Sequence, residues 1–427
     1  MQGITYYVAV DGTANGDGSM ISPWDLQTAL DTPVLTYADT ILLMAGTYLG
    51  TFTCHRSGGN NLYPITYKNA MGETATIDGQ LICSEGDIRF ISDKYGLIFT
   101  DSSFTDRESE EETAGPSDIN GVTTLLAAAG SVRAQFINCI FRNGRQGMTG
   151  GMSAEQLSFY GCLFYFNGWK SPTNSYGHGA YPQNTLPWLT FEQCVFYDNF
   201  GYGLHAFASS GLIDYINIVD CTFFNNGSLW GQYWGNIHYG GVPFSDARII
   251  GNWSYFNTTT DQGGVGVGDE NSVRLFIEDN IFVGGRWAFT FAGQADSLQN
   301  NQFYGTVVGV DAETYPNNIY GLAGEQPDIY QILPNDHDSD LAILRVLNPA
   351  QINNIIIDVS ALFGQSGTIA IHNLQDQIDD IQTLEIANGQ ITINMQAINR
   401  TVEIPTGWTV PATTFPKFGA FRLEYVP

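Results

Sequence analysis

The chain has 427 residues, long enough for one large domain and a smaller one with an apolar core. Its 16 basic and 43 acidic residues leave a formal charge of −27, which repels nucleic acid and anionic membranes at long range. Glycine and aromatic residues are abundant and no stretch of about 20 apolar residues exists, so we expect a β-rich protein that does not insert into membranes.

The N-terminal segment predicts a cap. The start MQGITYYVAV lacks the basic and apolar regions of a secretory signal, so we expect either a removed signal or another route out of the cell. The segment SPWDLQTALD has a Ser-Pro start and apolar residues at helical spacing, which predicts a short helix over Pro23–Thr32. Such a helix would cover an otherwise open sheet edge within the cap, residues 1–80.

An acidic segment follows at residues 101–120. Its run DRESEEE, residues 106–112, is typical of a solvated insertion loop, here at the edge of a groove, and less so of a metal site.

One phrase then recurs at intervals of roughly 21 to 32 residues: apolar, any, apolar, any, any, ladder residue, any, Phe. This interval predicts a solenoid of short strands, in which each coil stacks on the last at about 4.8 Å through parallel hydrogen bonds. The Phe positions would form an internal stack, with only Ser254 breaking it, and the ladder positions a column at a bend. The ladder residues are Cys139, Cys162, Cys194, Cys221, Asn252, Asn280 and Asn301, with Asp93 as an earlier member.

The cysteines of this column are predicted to fill a structural slot. A stacked Asn hydrogen-bonds along the column, whereas a reduced Cys acts as a small apolar group. Disulfides are disfavoured because side chains on adjacent coils would have to turn toward each other. The sequence contains no CxxC motif or His-Cys cluster, so a zinc site is not predicted.

A second strand follows each ladder phrase, and period-2 alternation predicts which of its side chains point outward. The predicted outward row is Thr149, Tyr181, His205, His238, Gly266, Thr290 and Asp311, and the row before it is mainly glycine: Gly147, Gly179, Gly203, Gly264 and Gly309. We expect the glycines to form the bare floor of a groove. Tyr181, His205 and His238 are candidate general acids and bases near neutral pH, although an exposed polar ladder would show the same pattern.

Aromatic residues in the bordering loops are candidate sugar platforms, because flat rings stack on sugars. Some tryptophans must instead be core residues. The predicted substrate contacts are Trp169, Trp230, Trp234, Trp287, Phe207 and Gln183.

Carboxylates at the same level offer a different chemistry. Asp269 and Glu270 follow GGVGVG, and Asp311 comes two coils later. A glycosidase needs two such groups about 5 to 9 Å apart. In so acidic a chain neighbouring carboxylates also arise by chance. No cofactor is required, and calcium binding by adjacent acids is an alternative.

The pattern changes near residues 334–343. Alternating strands without the ladder phrase predict a small antiparallel β-sandwich over residues 340–427, after a β-helix over residues 1–335. This second domain would cap the open end of the β-helix or mediate assembly.

The segments YYVAVDGTANGDGS, SPWDLQTALD, ADTILLMAGTY and PITYKNAMGETATIDG resemble the opening of right-handed parallel β-helix proteins of the pectin-lyase-like superfamily. That superfamily includes polysaccharide lyases, glycoside hydrolases and phage tailspikes. The resemblance implies an all-β fold, a right-handed parallel β-helix with a cap helix, over about residues 5–320. The GHG at 177–179 is similar to a polygalacturonase motif, but the family's other elements are missing, so we interpret it as coincidental.

Two functional hypotheses follow. In the first, the chain binds a polysaccharide or cell-surface glycan on its outer face and cleaves it, with a slight preference for hydrolysis by Asp269, Glu270 or Asp311. Elimination would instead use Tyr181, His205 or His238, with a cation or Arg145, Lys170 or Arg286 neutralising a uronate. In the second, the chain is a non-catalytic tailspike-like receptor-binding protein, adhesin or structural protein, trimeric if tailspike-like. Both imply an extracellular, cell-surface or virion-associated location.

Overall fold

The structure is a computed structural model, and it describes residues 3–59, 62–113, 115–128, 133–151, 155–211, 213–228, 235–256, 263–322, 324–376, 381–398 and 413–426. Most of the chain forms short parallel strands that stack in three columns around one apolar interior. No helix in these ranges is long and apolar enough to cross a membrane.

The first column contains eleven parallel strands in a single sheet. They are β1 (Thr5–Val8), β2 (Thr40–Leu43), β4 (Ile65–Asn69), β6 (Ile88–Ile91), β9 (Gln135–Ile137), β12 (Ser158–Tyr160), β17 (Leu189–Glu192), β20 (Ile216–Val219), β23 (Ser245–Ile250), β26 (Val273–Glu278) and β29 (Ala295–Gln299).

The second and third columns belong to one large sheet, which begins with two long strands, β3 (Gly46–Cys54) and β5 (Ala75–Cys83). β3 pairs along the length of β5, and β5 then pairs with the next strand of each column. The second column continues as β7 (Leu97–Thr100), β10 (Ile140–Arg142), β13 (Leu163–Tyr165), β18 (Val195–Tyr197), β21 (Thr222–Phe224), β24 (Trp253–Tyr255), β27 (Ile281–Val283), β30 (Gln302–Tyr304) and β32 (Ile319–Gly321). The third column is β8 (Thr123–Ala127), β11 (Gln146–Gly150), β16 (Ala180–Pro182), β19 (Leu204–Phe207), β22 (Ile237–Gly240), β25 (Val265–Gly268), β28 (Phe289–Ala292) and β31 (Val307–Val308).

The predicted aromatic stack is confirmed. The rings of Phe141, Phe164, Phe196 and Phe223 are stacked, with successive centroids 4.8, 4.6 and 4.8 Å apart. Ser254 interrupts this stack because it has no ring; its buried hydroxyl instead accepts a hydrogen bond from Asn236 Nδ2 at 2.8 Å. The aromatic stack is therefore regular where the repeated phrase has Phe and is interrupted where the phrase has Ser254.

The ladder column also forms as predicted. Asn252 Nδ2 donates to Asn280 Oδ1 at 3.0 Å, and Asn280 Nδ2 donates to Asn301 Oδ1 at 2.8 Å. The backbone N–H of Cys221 donates to Asn252 Oδ1 at 2.9 Å, which links the cysteine part of the column to the asparagine part. All six cysteines are buried and free. Burial raises the pKa of Cys162 well above its ordinary value, as expected for an inert thiol.

A second asparagine ladder, which the repeated phrase does not predict, lies at the bend between the second and third columns. Asn167, Asn199, Asn226 and Asn236 are buried, and each of the first three donates from Nδ2 to the next residue's Oδ1 at 2.8 to 3.0 Å. This ladder fixes the stagger of the third column, where the candidate site lies.

The N-terminal cap helix is α1 (Leu26–Asp31), shorter than the predicted span of Pro23–Thr32. Asp25 is its N-cap, accepting from the Thr28 N–H at 2.8 Å. Leu26, Ala29 and Leu30 are buried against the first coils, so the helix closes this end of the interior.

The C-terminal unit is one seven-stranded antiparallel sheet in the order β33-β34-β39-β36-β37-β38-β35. Its elements are β33 (Ile329–Pro334), β34 (Leu341–Leu347), β35 (Asn354–Asp358), α2 (Ser360–Phe363), β36 (Ser366–Asn373), β37 (Ile381–Ala387), β38 (Gln390–Asn394) and β39 (Phe418–Val426). The unit therefore starts at Ile329, before the predicted start at 340. Its own core lies between the central strands and β35 and β38.

This sheet packs against the outside of the second column, where we had expected it to cap the open end or to mediate assembly. Phe418 stacks on Tyr255 with ring centroids 4.8 Å apart. Arg345 is fully buried at the interface; it donates to the Gly251 carbonyl at 2.7 Å and lies 4.7 Å from the Trp253 ring. The outer face of the second column is thus covered by the chain itself.

The acidic insertion lies beside the third column and packs on a hairpin of β14 (Trp169–Lys170) and β15 (Ser175–Tyr176). Arg107 is buried, donating to the Gly168 carbonyl at 3.2 Å. The glutamates at 108, 110 and 112 are exposed, as a solvated loop requires.

Candidate functional site

The outer face of the third column carries the predicted outward row. Strand pairing aligns Thr149 with Tyr181, His205 with His238, His238 with Gly266, and Gly266 with Thr290. The last position is wrong, because Thr290 pairs with Val308 and not with Asp311. In the segment VVGVD, residues 307–311, either Val307 or Val310 could be the inward residue, and alternation alone does not choose between them.

Three histidines form a chain of hydrogen-bonding rings on this face, here called the histidine relay: His178, His205 and His238. His178 Nε2 lies 2.9 Å from His205 Nδ1, and His205 Nε2 lies 3.2 Å from His238 Nδ1. At the other end, the backbone N–H of Tyr202 donates to His178 Nδ1 at 2.9 Å. His178 and His205 are only 8% and 7% exposed, so only His238 reaches the surface to any extent.

Local structure explains how the three rings meet. His205 and His238 are paired on neighbouring strands, which stacks their rings at a centroid distance of 5.1 Å. His178 comes from the loop before β16 and reaches the same row from the side. A Cβ at Gly201 would lie 2.4 Å from His178 Nδ1, so glycine at this position makes room for the ring.

Aromatic side chains enclose the relay. The Tyr181 ring centroid lies 5.2 Å from that of His205, and the Phe207 ring stacks on His205 at 5.0 Å. The Tyr202 ring lies 4.7 Å from His205 and 5.1 Å from His238. These rings exclude water from the imidazoles while remaining partly exposed themselves.

Burial controls the electrostatics of the site. It lowers the pKa of His178 to about 3 and that of His238 to about 4, and it lowers the pKa of His205 well below its ordinary value. Neighbouring histidines lower the pKa of His178 and His205 further. Burial also raises the pKa of Tyr202 and Tyr181. All these groups are therefore neutral at pH 7.

The relay ends at a pocket of about 240 Å³ beside His238. Tyr202, Thr290 and Trp287 line it together with several glycines. Gly266 provides the space, because it stands in the outward row between His238 and Thr290 and carries no side chain. Among the described lining residues there is no Asp, Glu, Lys or Arg.

The glycine row is not the bare groove floor that we expected. Gly147, Gly179, Gly203 and Gly264 are buried. A Cβ on Gly179 would lie 2.6 Å from the Gly203 carbonyl and 2.9 Å from Asn199 Nδ2. The row thus packs against the second asparagine ladder. The prediction assumed a straight strand through these glycines, but the chain bends there. Gly309, the predicted last member, follows Val308 and is displaced with Asp311.

The predicted substrate contacts divide into three groups. Trp287 lines the pocket, with the Arg286 guanidinium 4.9 Å from its ring centroid, and Phe207 and Gln183 lie on the outer face. Gln183 Nε2 donates to the Phe207 carbonyl at 3.2 Å. Trp230 and Trp234 lie outside the described residues.

Trp169 does not face the groove as predicted. It is 3% exposed and packs with Phe104 and Ile119 under the acidic insertion. The Arg145 guanidinium covers its ring at 4.8 Å. The insertion supplies this burial, and neither Phe104 nor Ile119 is close to Trp169 in sequence.

The candidate carboxylates do not gather at the pocket. Asp269 and Glu270 form the turn after β25. Asp269 directly follows Gly268, which lines the pocket, but neither carboxylate is among the described lining residues. Asp311 accepts from the Glu313 N–H at 3.1 Å and from Thr314 Oγ1 at 2.7 Å, and these bonds lower its pKa. A glycosidase acid needs a raised pKa. Within the described ranges, no group of three or more His, Cys, Asp or Glu is placed to hold a metal ion.

Sequence reasoning missed two residues of the site, His178 and Tyr202. The GHG at 177–179 was set aside because it did not fit a polygalacturonase pattern, yet its histidine begins the relay. Each of the two residues lies two positions before a third-column strand, His178 before β16 and Tyr202 before β19. This shared position was the available signal.

The chain is similar in fold to several known proteins. Residues 72–242 match the family model described as "Right handed beta helix region". Similar solved structures include pectate lyase Pel9A, with 17% identity, a TM-score of 0.45 and coverage of 80% of this chain and 83% of that one. The Dettilon tailspike protein (11%, 0.34, 91% and 87%) and pectin methylesterase PemA from Erwinia chrysanthemi (13%, 0.33, 75% and 82%) are further examples. No curated protein sequence matches the chain.

The family match and the strand pairing together confirm the predicted right-handed parallel β-helix. The resemblance seen in the sequence is thereby confirmed at the level of the fold, a right-handed β-helix.

Proposed function

We propose that this right-handed parallel β-helix protein binds an extended, neutral or weakly charged polysaccharide on the outer face of its third column, and that it cleaves the glycan at the pocket beside His238. The observation that carries the proposal is the histidine relay, which runs through a buried aromatic surround and ends at an open pocket next to Trp287.

The shape of the face suits a chain of sugars. Strands β16, β19, β22, β25 and β28 are spaced about 4.8 Å apart, so the face extends about 19 Å along the axis of the solenoid. Phe207, Tyr181 and Trp287 offer partly exposed rings for the apolar faces of sugars. His238 and Thr290 offer polar groups for hydroxyls between those rings.

The charge of the face narrows the class of glycan. The whole chain carries a formal charge of −27, which opposes a strongly acidic polysaccharide. The described pocket lining has no charged side chain, and Arg286 lies beside it with its guanidinium 4.9 Å from the Trp287 ring. These features favour a neutral glycan or one with few acidic groups.

The unfavourable burial of three histidine side chains supports a catalytic role. Burying three imidazoles on an outer surface shifts their pKa values strongly, and the apolar interior does not need them. Titratable groups with such shifts concentrate at functional sites in clefts. None of Asp269, Glu270 and Asp311 is among the described residues that line the pocket, which argues against hydrolysis there by a carboxylate pair.

Binding without cleavage is the second candidate, and a specific observation favours it. The titratable residues that line the described pocket are Tyr202 and His238, and both pKa values are displaced away from neutrality. Neither group exchanges a proton readily at pH 7. Such a face would act as a receptor-binding surface on a rigid rod, at a cell surface, on a virion or in the extracellular medium.

A glycan panel separates the candidates. The chain is incubated with neutral and uronic-acid polysaccharides, and binding, new reducing ends and ultraviolet-absorbing unsaturated products are measured. Product that disappears in His238→Ala supports the enzyme, and binding without product supports the receptor-binding protein. The matched control is His55→Ala, since His55 is exposed and pairs with Asp31 in the N-terminal region. No binding to any glycan would refute the proposal.

A further inference from the structure

We infer that a single backbone N–H, that of Tyr202, sets the direction of the whole histidine relay, so that His238 presents an N–H donor to the pocket and not a lone pair. The part that concerns the ligand rests on the proposed function. The direction of the relay itself does not.

The inference begins at the buried end. The Tyr202 N–H donates to His178 Nδ1 at 2.9 Å. A backbone amide is a donor in every protonation state of the protein, so His178 Nδ1 must act as the acceptor. A neutral imidazole has one ring proton, and His178 therefore carries it on Nε2.

The same argument then passes along the relay. His178 Nε2 lies 2.9 Å from His205 Nδ1, so His205 accepts there and carries its own proton on Nε2. His205 Nε2 lies 3.2 Å from His238 Nδ1, so His238 accepts in turn and is protonated on Nε2. If the three hydrogen bonds ran in the opposite direction, His178 would carry its proton on Nδ1, and two N–H donors would then face each other at Tyr202.

The surroundings keep every ring neutral, which the argument requires. The rings that face the relay belong to Tyr181, Tyr202 and Phe207. Burial raises the pKa of both tyrosines and lowers the pKa of the three imidazoles. Each imidazole thus keeps one proton across the neutral range, and each tyrosine keeps its hydroxyl proton.

The consequence for function is a division of roles. His178 and His205 are positioning residues, which act on the ligand only through His238. His238 Nε2 donates a hydrogen bond to an acceptor oxygen of the glycan, such as a hydroxyl, ring or carbonyl oxygen. A neutral imidazole donor polarises that oxygen or stabilises negative charge on it, and it does not remove a proton at Nε2.

Nitrogen NMR of the full chain tests the direction without any glycan. The chain has six histidines, so selective ring-¹⁵N labelling gives a countable spectrum, and single His→Gln variants assign it. Long-range ¹H–¹⁵N correlation distinguishes a proton on Nε2 from one on Nδ1. We expect His178, His205 and His238 all to be Nε2-protonated and unchanged between pH 8 and 5. An Nδ1-protonated ring or an imidazolium at pH 7 among the three would overturn the inference.

Removing the fixed acceptor tests the cause. His178→Phe keeps an aromatic ring but has no ring nitrogen, so His205 and His238 are expected to show both tautomers. If they stay fully Nε2-protonated in a folded variant, the Tyr202 N–H is not what fixes the direction. If the variant does not fold, the wild-type spectrum still decides the tautomers.

Two substitutions at His238 test the donor role with each glycan of the panel. Gln places an amide N–H near the position of Nε2, so His238→Gln is expected to bind within about threefold of wild type, whereas His238→Ala loses about tenfold. Equal losses would contradict the donor role. A correct spectrum without glycan binding would refute the proposed function and leave the direction of the relay standing.

Discussion

Acid should destabilise the fold through the histidine relay, and the size of the effect follows from the pKa values. In the unfolded chain a histidine binds a proton near pH 6.5, whereas His178 and His238 in the folded chain do so only near pH 3 and pH 4. Between pH 6.5 and 4 the unfolded state therefore binds more protons. The stability that these residues contribute is present above pH 6.5 and is lost as the pH falls.

The magnitude at pH 5.0 is a direct conversion. That pH is about 1.5 units below the unfolded value, and each unit corresponds to about 1.4 kcal/mol, so each residue costs about 2 kcal/mol relative to pH 7.5. His178 and His238 together account for about 4 kcal/mol, and His205 adds to this because burial lowers its pKa as well.

Urea unfolding at pH 7.5 and pH 5.0 measures this loss. In His238→Gln the loss between the two pH values should be smaller than in wild type by about 2 kcal/mol. Phe164→Leu is the matched control, because it perturbs packing in the interior aromatic stack and removes no ring that encloses the relay, so its pH-dependent loss should equal that of wild type. If His238→Gln keeps the full wild-type loss, His238 is not a buried neutral group and the account of the relay fails.

Three further outcomes follow from packing. Gly266→Val should fill the pocket and abolish glycan binding in a calorimetric titration, with only a small loss of Tm because the added Cβ would lie 3.3 Å from Thr290 Cγ2. Gly115→Val, in open space on the insertion, should change neither binding nor Tm. Trp287→Ala should weaken binding by about 1 kcal/mol through lost stacking, but Trp169→Ala should lower the free energy of unfolding by about 3 to 5 kcal/mol because it leaves a cavity. Arg345→Ala should reduce stability by about 3 kcal/mol in thermal unfolding, since it strips the Gly251 and Cys221 carbonyls of a buried partner.

The architecture was accessible from the sequence because its signals are local. The ladder phrase spans eight residues and recurs, so the Phe141 and Cys139 columns followed from counting alone. The outward row was predicted correctly from Thr149 to Thr290 by the same alternation. It failed at the last coil, where Val307 and Val310, three residues apart, gave two registers of equal quality.

The rest of the site depends on contacts between distant segments. Trp169 is buried by residues 104 and 119 of the insertion, and no pattern around residue 169 reports that packing. His178 reaches the relay from a loop, where strand alternation gives no direction. The C-terminal sheet covers the second column because Phe418 and Arg345 find partners there, and this choice of face leaves the third column open.

The most direct test of the central claim is a crystal structure of the chain soaked with the oligosaccharides of the glycan panel. The account predicts a sugar ring stacked on Trp287, with one of its oxygens within hydrogen-bond distance of His238 Nε2 and further rings extending toward Phe207. Glycan bound only on the first column or on the C-terminal sheet, or on no surface at all, would contradict it.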